Sequence, residues 1–482
     1  MVSFSSVGVL LGPILMGLAL LMLAPCALAW YLGSPDLQAF LISDAATIAA
    51  ALMLIISKPG GRPTLRAREM FLLTNLSWIT VCTFGALPFV LSHTVGNFTD
   101  AIFESVSGIT TTGASVMVGL DELPKDILLW RSMMQWIGGL GIIALGAAVL
   151  PFLRIGGMRL FQTESSIFSE KTLPNTRRVL ARLLLVYSGI SLACAICYLI
   201  AGMTVFDAIN HAMTTVSTGG FSTHDKSIAF FQSAAIESVA VVFMLAAAAP
   251  FLLYLAMLSR RPRDRFSVGQ VGSMVGAYFF VVTLLAAWLI ITDQAGLIEA
   301  FRDATFNVIS IGTTTGFVSA DYTSWGNFAI IVFFFLTFVG GCSGSTSGGI
   351  KIFRFKIAFV MLQETIQRLL HPSATFSRSL DGRQLSDDIV ASVMAFSLAF
   401  AGTVAVIAML LAASGNDFVT SFSAAATAVA NVGPGIGDTI GPVYNFASLS
   451  EPSKWILCVA MLLGRLEIFT LLVLLTPAFW RI

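Results

Sequence analysis

The chain has 482 residues, of which 56% are hydrophobic and only 11% charged, and its formal net charge is +1. Soluble globular chains usually carry about 25% charged residues, so the composition excludes an ordinary soluble domain. A near-neutral chain also gives no footing for a nucleic-acid partner.

A spanning helix needs roughly 20 consecutive apolar residues. Ten stretches qualify in chain order: 8–32, 36–57, 71–92, 127–153, 179–202, 231–258, 268–293, 325–370 (interrupted), 388–413 and 454–477. The first is too long for a cleaved leader and runs straight into the second, so none is expected. Basic residues gather after every second stretch. Lys58, Arg62, Arg66 and Arg68 follow the second, and Arg154, Arg159, Lys171, Arg177, Arg178 and Arg182 flank the fourth. Arg260, Arg261, Arg263 and Arg265 follow the sixth, and six more between Lys351 and Arg383 follow the eighth. With ten spans, these segments and both termini lie on the cytoplasmic side. The opposite side carries Asp100, Glu104, Asp121, Glu122, Asp207, Asp303, Asp321 and Asp438, an acidic mouth that would concentrate cations. The six cysteines, Cys194-x-x-Cys197 among them, sit in or beside apolar segments and read as small buried hydrophobes. Asn97-Phe98-Thr99 fits a glycosylation acceptor but opens a patterned segment.

That segment recurs four times, each between two spanning helices on the acidic side. The copies begin at Phe98-Thr99-Asp100, Val205-Phe206-Asp207, Phe301-Arg302-Asp303 and Phe418-Val419-Thr420. They end at Thr110-Thr111-Thr112-Gly113, Ser217-Thr218-Gly219-Gly220, Thr313-Thr314-Thr315-Gly316 and Asn431-Val432-Gly433. Asp100, Asp207, Asp303 and Thr420 each stand thirteen residues before the closing glycine. Asp or Thr at the start suits a helix N-cap, and about ten residues are too few to span, so each copy reads as a re-entrant helix. Non-helical backbone is tolerated at membrane depth where it lines a water-filled path, and glycine permits the positive φ that turns a carbonyl toward an axis. Helix C-termini add partial negative charge there. Four copies around one axis would form a carbonyl ring that replaces a cation's hydration shell, a selectivity filter. One Thr-Gly turn is an ordinary connector, but four in register are not.

The run Gly340-Gly341-Cys342-Ser343-Gly344-Ser345-Thr346-Ser347-Gly348-Gly349 holds five glycines and cannot continue a straight helix. At membrane depth it must border protein or water, and it reads as a mobile gate under the filter. Arg465 lies within the last apolar stretch, where a central arginine costs roughly 2.5–3.5 kcal/mol and faces a pore or a partner. Glu467, two residues on, points elsewhere on a helix. Two readings of Arg465 stay open: an electrostatic barrier, or a structural pair with a carboxylate. Asp44 and Glu237 are also intramembrane acids, fit for proton or sodium coupling (symport) or for joining helices. The four histidines show no metal spacing and no nucleophile–base set emerges, so no enzyme is expected.

With Trp136-Ile137-Gly138-Gly139-Leu140-Gly141 and the 340–351 run, the four segments make a pattern that resembles the Trk/Ktr/HKT superfamily of potassium transporters. The two helices before the first repeat bring it nearer to the TrkH/TrkG branch than to KtrB. The resemblance implies an all-α polytopic fold of four pseudo-fourfold helix–pore helix–helix repeats around one ion path, plus two N-terminal helices. Its units are 1–68, then repeats 69–178, 179–265, 266–386 with gating loop 340–349, and 387–482. It implies K⁺ held by filter carbonyls, no organic cofactor, and Arg465 below the filter beside the loop. It further implies a homodimer in the bacterial inner membrane, docked on a cytosolic ring of nucleotide-binding (NAD/ATP) regulatory subunits of the TrkA type, with Arg260–Arg265 as a docking face. Glycine at all four filter positions implies K⁺ over Na⁺, and the divergent fourth filter leaves the degree of discrimination open.

Overall fold

The computed structural model describes residues 4–57, 66–148, 173–258, 265–372, 378–381 and 383–481. Lys58, Arg62, Arg154, Arg159, Lys171, Arg260, Arg261 and Arg263 lie outside the described residues, and so does most of the expected docking face. The described chain is helical apart from loops and one two-stranded hairpin, in which Ser379 pairs with Gln384 and Leu380 with Arg383.

Two long helices, α1 (Phe4–Leu32) and α2 (Leu37–Ile56), pack on each other, and α1 also touches α3 (Ala67–Gly85) and α6 (Lys125–Ala148). The short α4 (Leu87–Leu91) leads to α5 (Phe98–Ile109), the first re-entrant helix. Next come α7 (Leu173–Ile200), α8 (Val205–Val216), α9 (Ala234–Ala248) and α10 (Phe251–Leu258), and then α11 (Arg265–Ile291), α12 (Leu297–Gly312), α13 (Asn327–Leu336) and α14 (Ile352–Leu370). The last group is α15 (Asp387–Ala413), α16 (Phe418–Ala430), α17 (Glu451–Arg465), α18 (Phe469–Leu475) and α19 (Pro477–Trp480). Seven helices among the described residues are long and apolar enough to cross a membrane. Trp30, Ile200, Phe279, Ile291 and Leu398 stand exposed on them, as a hydrocarbon surround permits.

Two expected spans are not continuous. The stretch 231–258 bends by 89° between α9 and α10, and 454–477 bends by 114° between α17 and α18. Pro250 causes the first break. It lacks an N–H, and it pushes Ala249 to the extended φ −82°, ψ 158°. No proline marks the second. There Glu467 takes φ 59°, and the freed carbonyls of Gly464 and Leu463 accept from Glu467 N at 3.4 Å and Ile468 N at 2.9 Å. The third interruption, between α13 and α14, is the glycine-rich run.

The re-entrant helices are capped three residues earlier than expected. Side-chain oxygens of Asn97, Thr204 and Asp417 accept the backbone N–H of Asp100, Asp207 and Thr420, so these last three occupy the third helical position. In the third copy Gly296 stands at the cap and α12 starts a turn sooner, at 16 residues. Asn97 is thus a helix cap. Each re-entrant helix also meets the preceding repeat: α8 packs on α6, α12 on α9, and α5 on α17. Between α13 and α16 the contact is Phe334 against Phe422, with ring centroids 5.7 Å apart. The ring closes on itself.

Candidate functional site

At the end of α5 the chain leaves helical form through Thr110 (φ −76°, ψ −1°), Thr111 (φ 53°) and Gly113 (φ 84°). The same turn follows at Ser217, Thr218 (φ 53°) and Gly220 (φ 76°), and at Thr313, Thr314 (φ 61°) and Gly316 (φ 80°). The fourth copy repeats it at Asn431 (φ 55°) and Gly433 (φ 109°). A left-handed β-branched residue costs of order 1–3 kcal/mol and persists only where the surroundings enforce it. Here it recurs three times, and the fourth copy carries Asn, the side chain that best tolerates this region. The divergence of the fourth filter is therefore in sequence, not in backbone.

Hydrogen bonds repeat just as closely. Thr112, Gly219, Thr315 and Val432 donate to the carbonyls of Ser107, Thr214, Ser310 and Thr427 at 2.9, 2.9, 2.9 and 3.0 Å. Thr111, Thr218, Thr314 and Asn431 donate to Gly108, Thr215, Ile311 and Ala428 at 3.0, 3.0, 3.0 and 3.3 Å. This helix end satisfies the last amides and turns the chain inward. The four turns touch in a circle. A Cβ on Gly113 would overlap the carbonyl oxygen of Gly219, and one on Gly220 would overlap that of Thr315. One on Gly316 would overlap that of Val432, and one on Gly433 would lie 2.7 Å from that of Thr112. Each glycine is needed twice, for its φ and for the neighbour's carbonyl at its face.

The 340–349 run lies against this circle and bonds to the second, third and fourth copies. Gly348 N donates to Thr314 Oγ1 at 2.7 Å, Gly349 N to Ala430 O at 2.8 Å, and Thr346 Oγ1 to Val216 O at 3.2 Å. Gly344 O accepts from Phe251 N at 3.0 Å, and Cys342 N donates to Ala248 O at 2.9 Å, both at the Pro250 break. Further support comes from Ser343 N to Gln270 Oε1 at 3.1 Å, Ser345 N to Cys342 O at 3.3 Å, and Gly340 N to Ile350 O at 3.0 Å. Gly341 O accepts from Ile352 N at 3.2 Å.

Arg465 ends α17 and is 3% exposed. Its Nη1 donates to Thr346 O at 2.8 Å and its Nη2 approaches Gly138 O at 3.4 Å, while Nε has no partner among the described residues. No carboxylate there lies within ion-pair distance of it. Glu467, expected on the same helix, sits beyond its end in the break and binds Arg354 at 2.6 Å.

The acidic mouth needs correction. Glu104 is fully buried, 2.7 Å from Arg131, and also accepts from Ser115 Oγ and Val116 N. Asp100 pairs with Lys454 at 2.7 Å, Asp207 accepts from Thr204 and Thr223, and Asp121 pairs with His224. Only part of the set, such as Asp438, is exposed carboxylate. Glu237 makes a two-pronged pair with Arg302, 2.7 Å for each oxygen, and so joins α9 to α12. Asp44 is buried, with Oδ1 unpartnered among the described residues. Arg131, Gln135, His224 and Lys454 escaped the sequence reading. Their charged and filter partners lie 17 to 354 residues away in the chain, which no local pattern reveals.

A family model described as TrkH, cation transport protein, matches residues 36–292 and 275–482. The chain is 45% identical to the Trk system potassium uptake protein TrkI of Halomonas elongata, over 96% of this chain and 94% of that one. It is 39% identical to the Trk system potassium uptake protein TrkH of Escherichia coli, over 86% and 87%. The crystal structure of the potassium transporter TrkH from Vibrio parahaemolyticus superposes with a TM-score of 0.92 at 35% identity, covering 99% of this chain and all of that one.

Proposed function

This chain belongs to the TrkH family of cation transport proteins, and on that footing we propose that it carries potassium into the cell across the bacterial cytoplasmic membrane. It is a transporter and not an enzyme. The observation that carries the reading is the closed circle of Gly113, Gly220, Gly316 and Gly433, each facing the next segment's carbonyl with one shared backbone conformation. Positive φ at every second residue of each turn lets successive carbonyls face one side of the chain, in place of the alternation of a strand. Four re-entrant helix C-termini converge there and favour a cation. A permeating K⁺ exchanges its hydration shell for carbonyl oxygens.

The ion then meets the 340–349 loop and Arg465. The loop occupies the exit from the filter in a closed arrangement, and Arg465 adds a buried positive charge tied to Thr346 O at 2.8 Å. Conduction requires both to move. The chain works as a homodimer, and a cytosolic nucleotide-binding ring of the TrkA type supplies the work for that movement through the cytoplasmic basic segments.

The test is ⁸⁶Rb⁺ uptake into liposomes with K⁺, Na⁺ or Li⁺ as competitor, with and without the regulatory ring, beside Gly316→Ser. Inhibition by K⁺ and not Na⁺ is expected, loosened in the variant because an added Cβ meets the carbonyl of Val432. Uptake indifferent to both competitor and variant would remove the filter from the mechanism.

A further inference from the structure

Among the four filter copies, one position differs in a way that the backbone does not explain. The residue before the closing glycine is Thr112, Thr315 or Val432 in three copies and Gly219 in the second. Gly219 does not take a positive φ, so its conformation does not demand glycine. Space does. A Cβ there would overlap Cδ and Oε1 of Gln135, with Nε2 at 2.8 Å.

Gln135 comes from α6 of the neighbouring repeat and is fully buried. Its Nε2 donates to Gly219 O at 2.7 Å and its Oε1 accepts from Phe221 N at 3.0 Å. A carbonyl only accepts and a backbone N–H only donates, so these partners fix the amide orientation. The amide bridges the filter from one side of Gly220 to the other. It also sits at the seam with the first copy, because Gly219 O is the oxygen that faces Gly113. In the first and third copies the side chain at this position is instead held by a hydroxyl within its own turn: Thr112 by Thr110, and Thr315 by Thr313, at 2.8 Å each. The second copy has Ser217 but no hydroxyl opposite it.

We propose that Gln135 is a specificity-determining positioning residue: its side-chain amide replaces the side chain missing at Gly219 and holds that copy's filter carbonyl in register. This rests on the filter reading above. Discrimination between K⁺ and Na⁺ depends on how many carbonyls keep their place around the ion, so one slack copy of four lowers selectivity without closing the path.

The experiment measures ⁸⁶Rb⁺ uptake competed by K⁺ or Na⁺ in liposomes for Gln135→Leu, for Gln135→Ala combined with Gly219→Thr, and for Gly316→Ser. Elution profile and melting temperature serve as folding controls. Gln135→Leu is expected to cost about tenfold in K⁺ over Na⁺ preference, the scale of two lost buried hydrogen bonds, with uptake retained. The double variant supplies a hydroxyl opposite Ser217 and is expected to recover wild-type preference. Unchanged preference in Gln135→Leu while Gly316→Ser loses it overturns the proposal and leaves the filter standing. Unchanged preference in both overturns the filter reading itself. Should Gln135→Leu not fold, the double variant decides: wild-type preference supports the assignment and lost preference overturns it.

Discussion

His224 is a single side chain joining two repeats outside the long apolar helices. Its Nδ1 pairs with Asp121, from the loop after the first filter, and its Nε2 lies 3.5 Å from Asp207 at the start of α8. Asp225 also faces this cluster, through its N–H to Asp121 Oδ2, and Phe230 stacks on the imidazole at 3.5 Å. Burial opposes charge on His224, but the two carboxylates outweigh it and raise its pKa above the ordinary 6.5. A raised pKa means that the folded state binds the proton more tightly than the unfolded chain. The stabilisation is therefore complete below 6.5 and is lost as pH rises through the raised value. Burial likewise opposes charge on Asp121, and the hydrogen bond from His224 reverses this and holds its carboxyl below 3.8, so acid weakens the pair only below the carboxylate range. Melting curves in detergent should show wild-type stability falling as pH rises past 6.5 and a flatter profile for His224→Gln. Equal slopes would deny His224 this role. None of this was legible in the sequence, where His224 and Asp121 stand 103 residues apart. The helix and turn of each copy were legible because their chemistry is local, whereas the caps lie outside the spacing that the repeats share.

At the scale of elements, one break of the three was legible. Five glycines announce the loop, whereas the bend at Pro250 was missed, because 231–258 reads as one continuous apolar span around it. The bend after α17 has neither a glycine run nor a proline. It depends on Glu467 leaving the helix to meet Arg354, which packs on the Phe396 ring at 3.5 Å. These three breaks meet: the end of α9 accepts from the loop, and the end of α17 donates to it through Arg465. The loop is thus held by the ends of two broken helices. A hydrogen bond from a charged donor is worth about 1.5–3 kcal/mol. Arg465→Ala should therefore shift the closed–open balance about ten- to a hundredfold toward open. Uptake without the regulatory ring should rise accordingly, while competition by K⁺ is preserved. Unchanged flux would return Arg465 to a purely structural part.

Over the whole molecule, the ring has one seam that no connecting segment closes, because the fourth repeat meets the first only through space. That seam carries Lys454 to Asp100 at 2.7 Å and Asn431 Nδ2 to Thr112 Oγ1 at 2.9 Å. Lys454 is 4% exposed and also donates to Ala447 O at 2.9 Å. At the seam between the second and third repeats, Glu237 pairs with Arg302, whose side chain is 40% exposed. Exposed pairs contribute about 0–1 kcal/mol, whereas removing one partner of a buried pair costs about 3–5 kcal/mol by stranding the other. Position in the ring reinforces burial, since separation at the first seam opens a path through the whole circle while the second is tethered by the chain. Lys454→Met should therefore lower the melting temperature well beyond Arg302→Met, and it should weaken K⁺ preference because the fourth filter leans on the first through Asn431. If the two variants melt alike, the open seam is held by its apolar contacts, and the circle needs no ionic fastening where the chain leaves it unjoined.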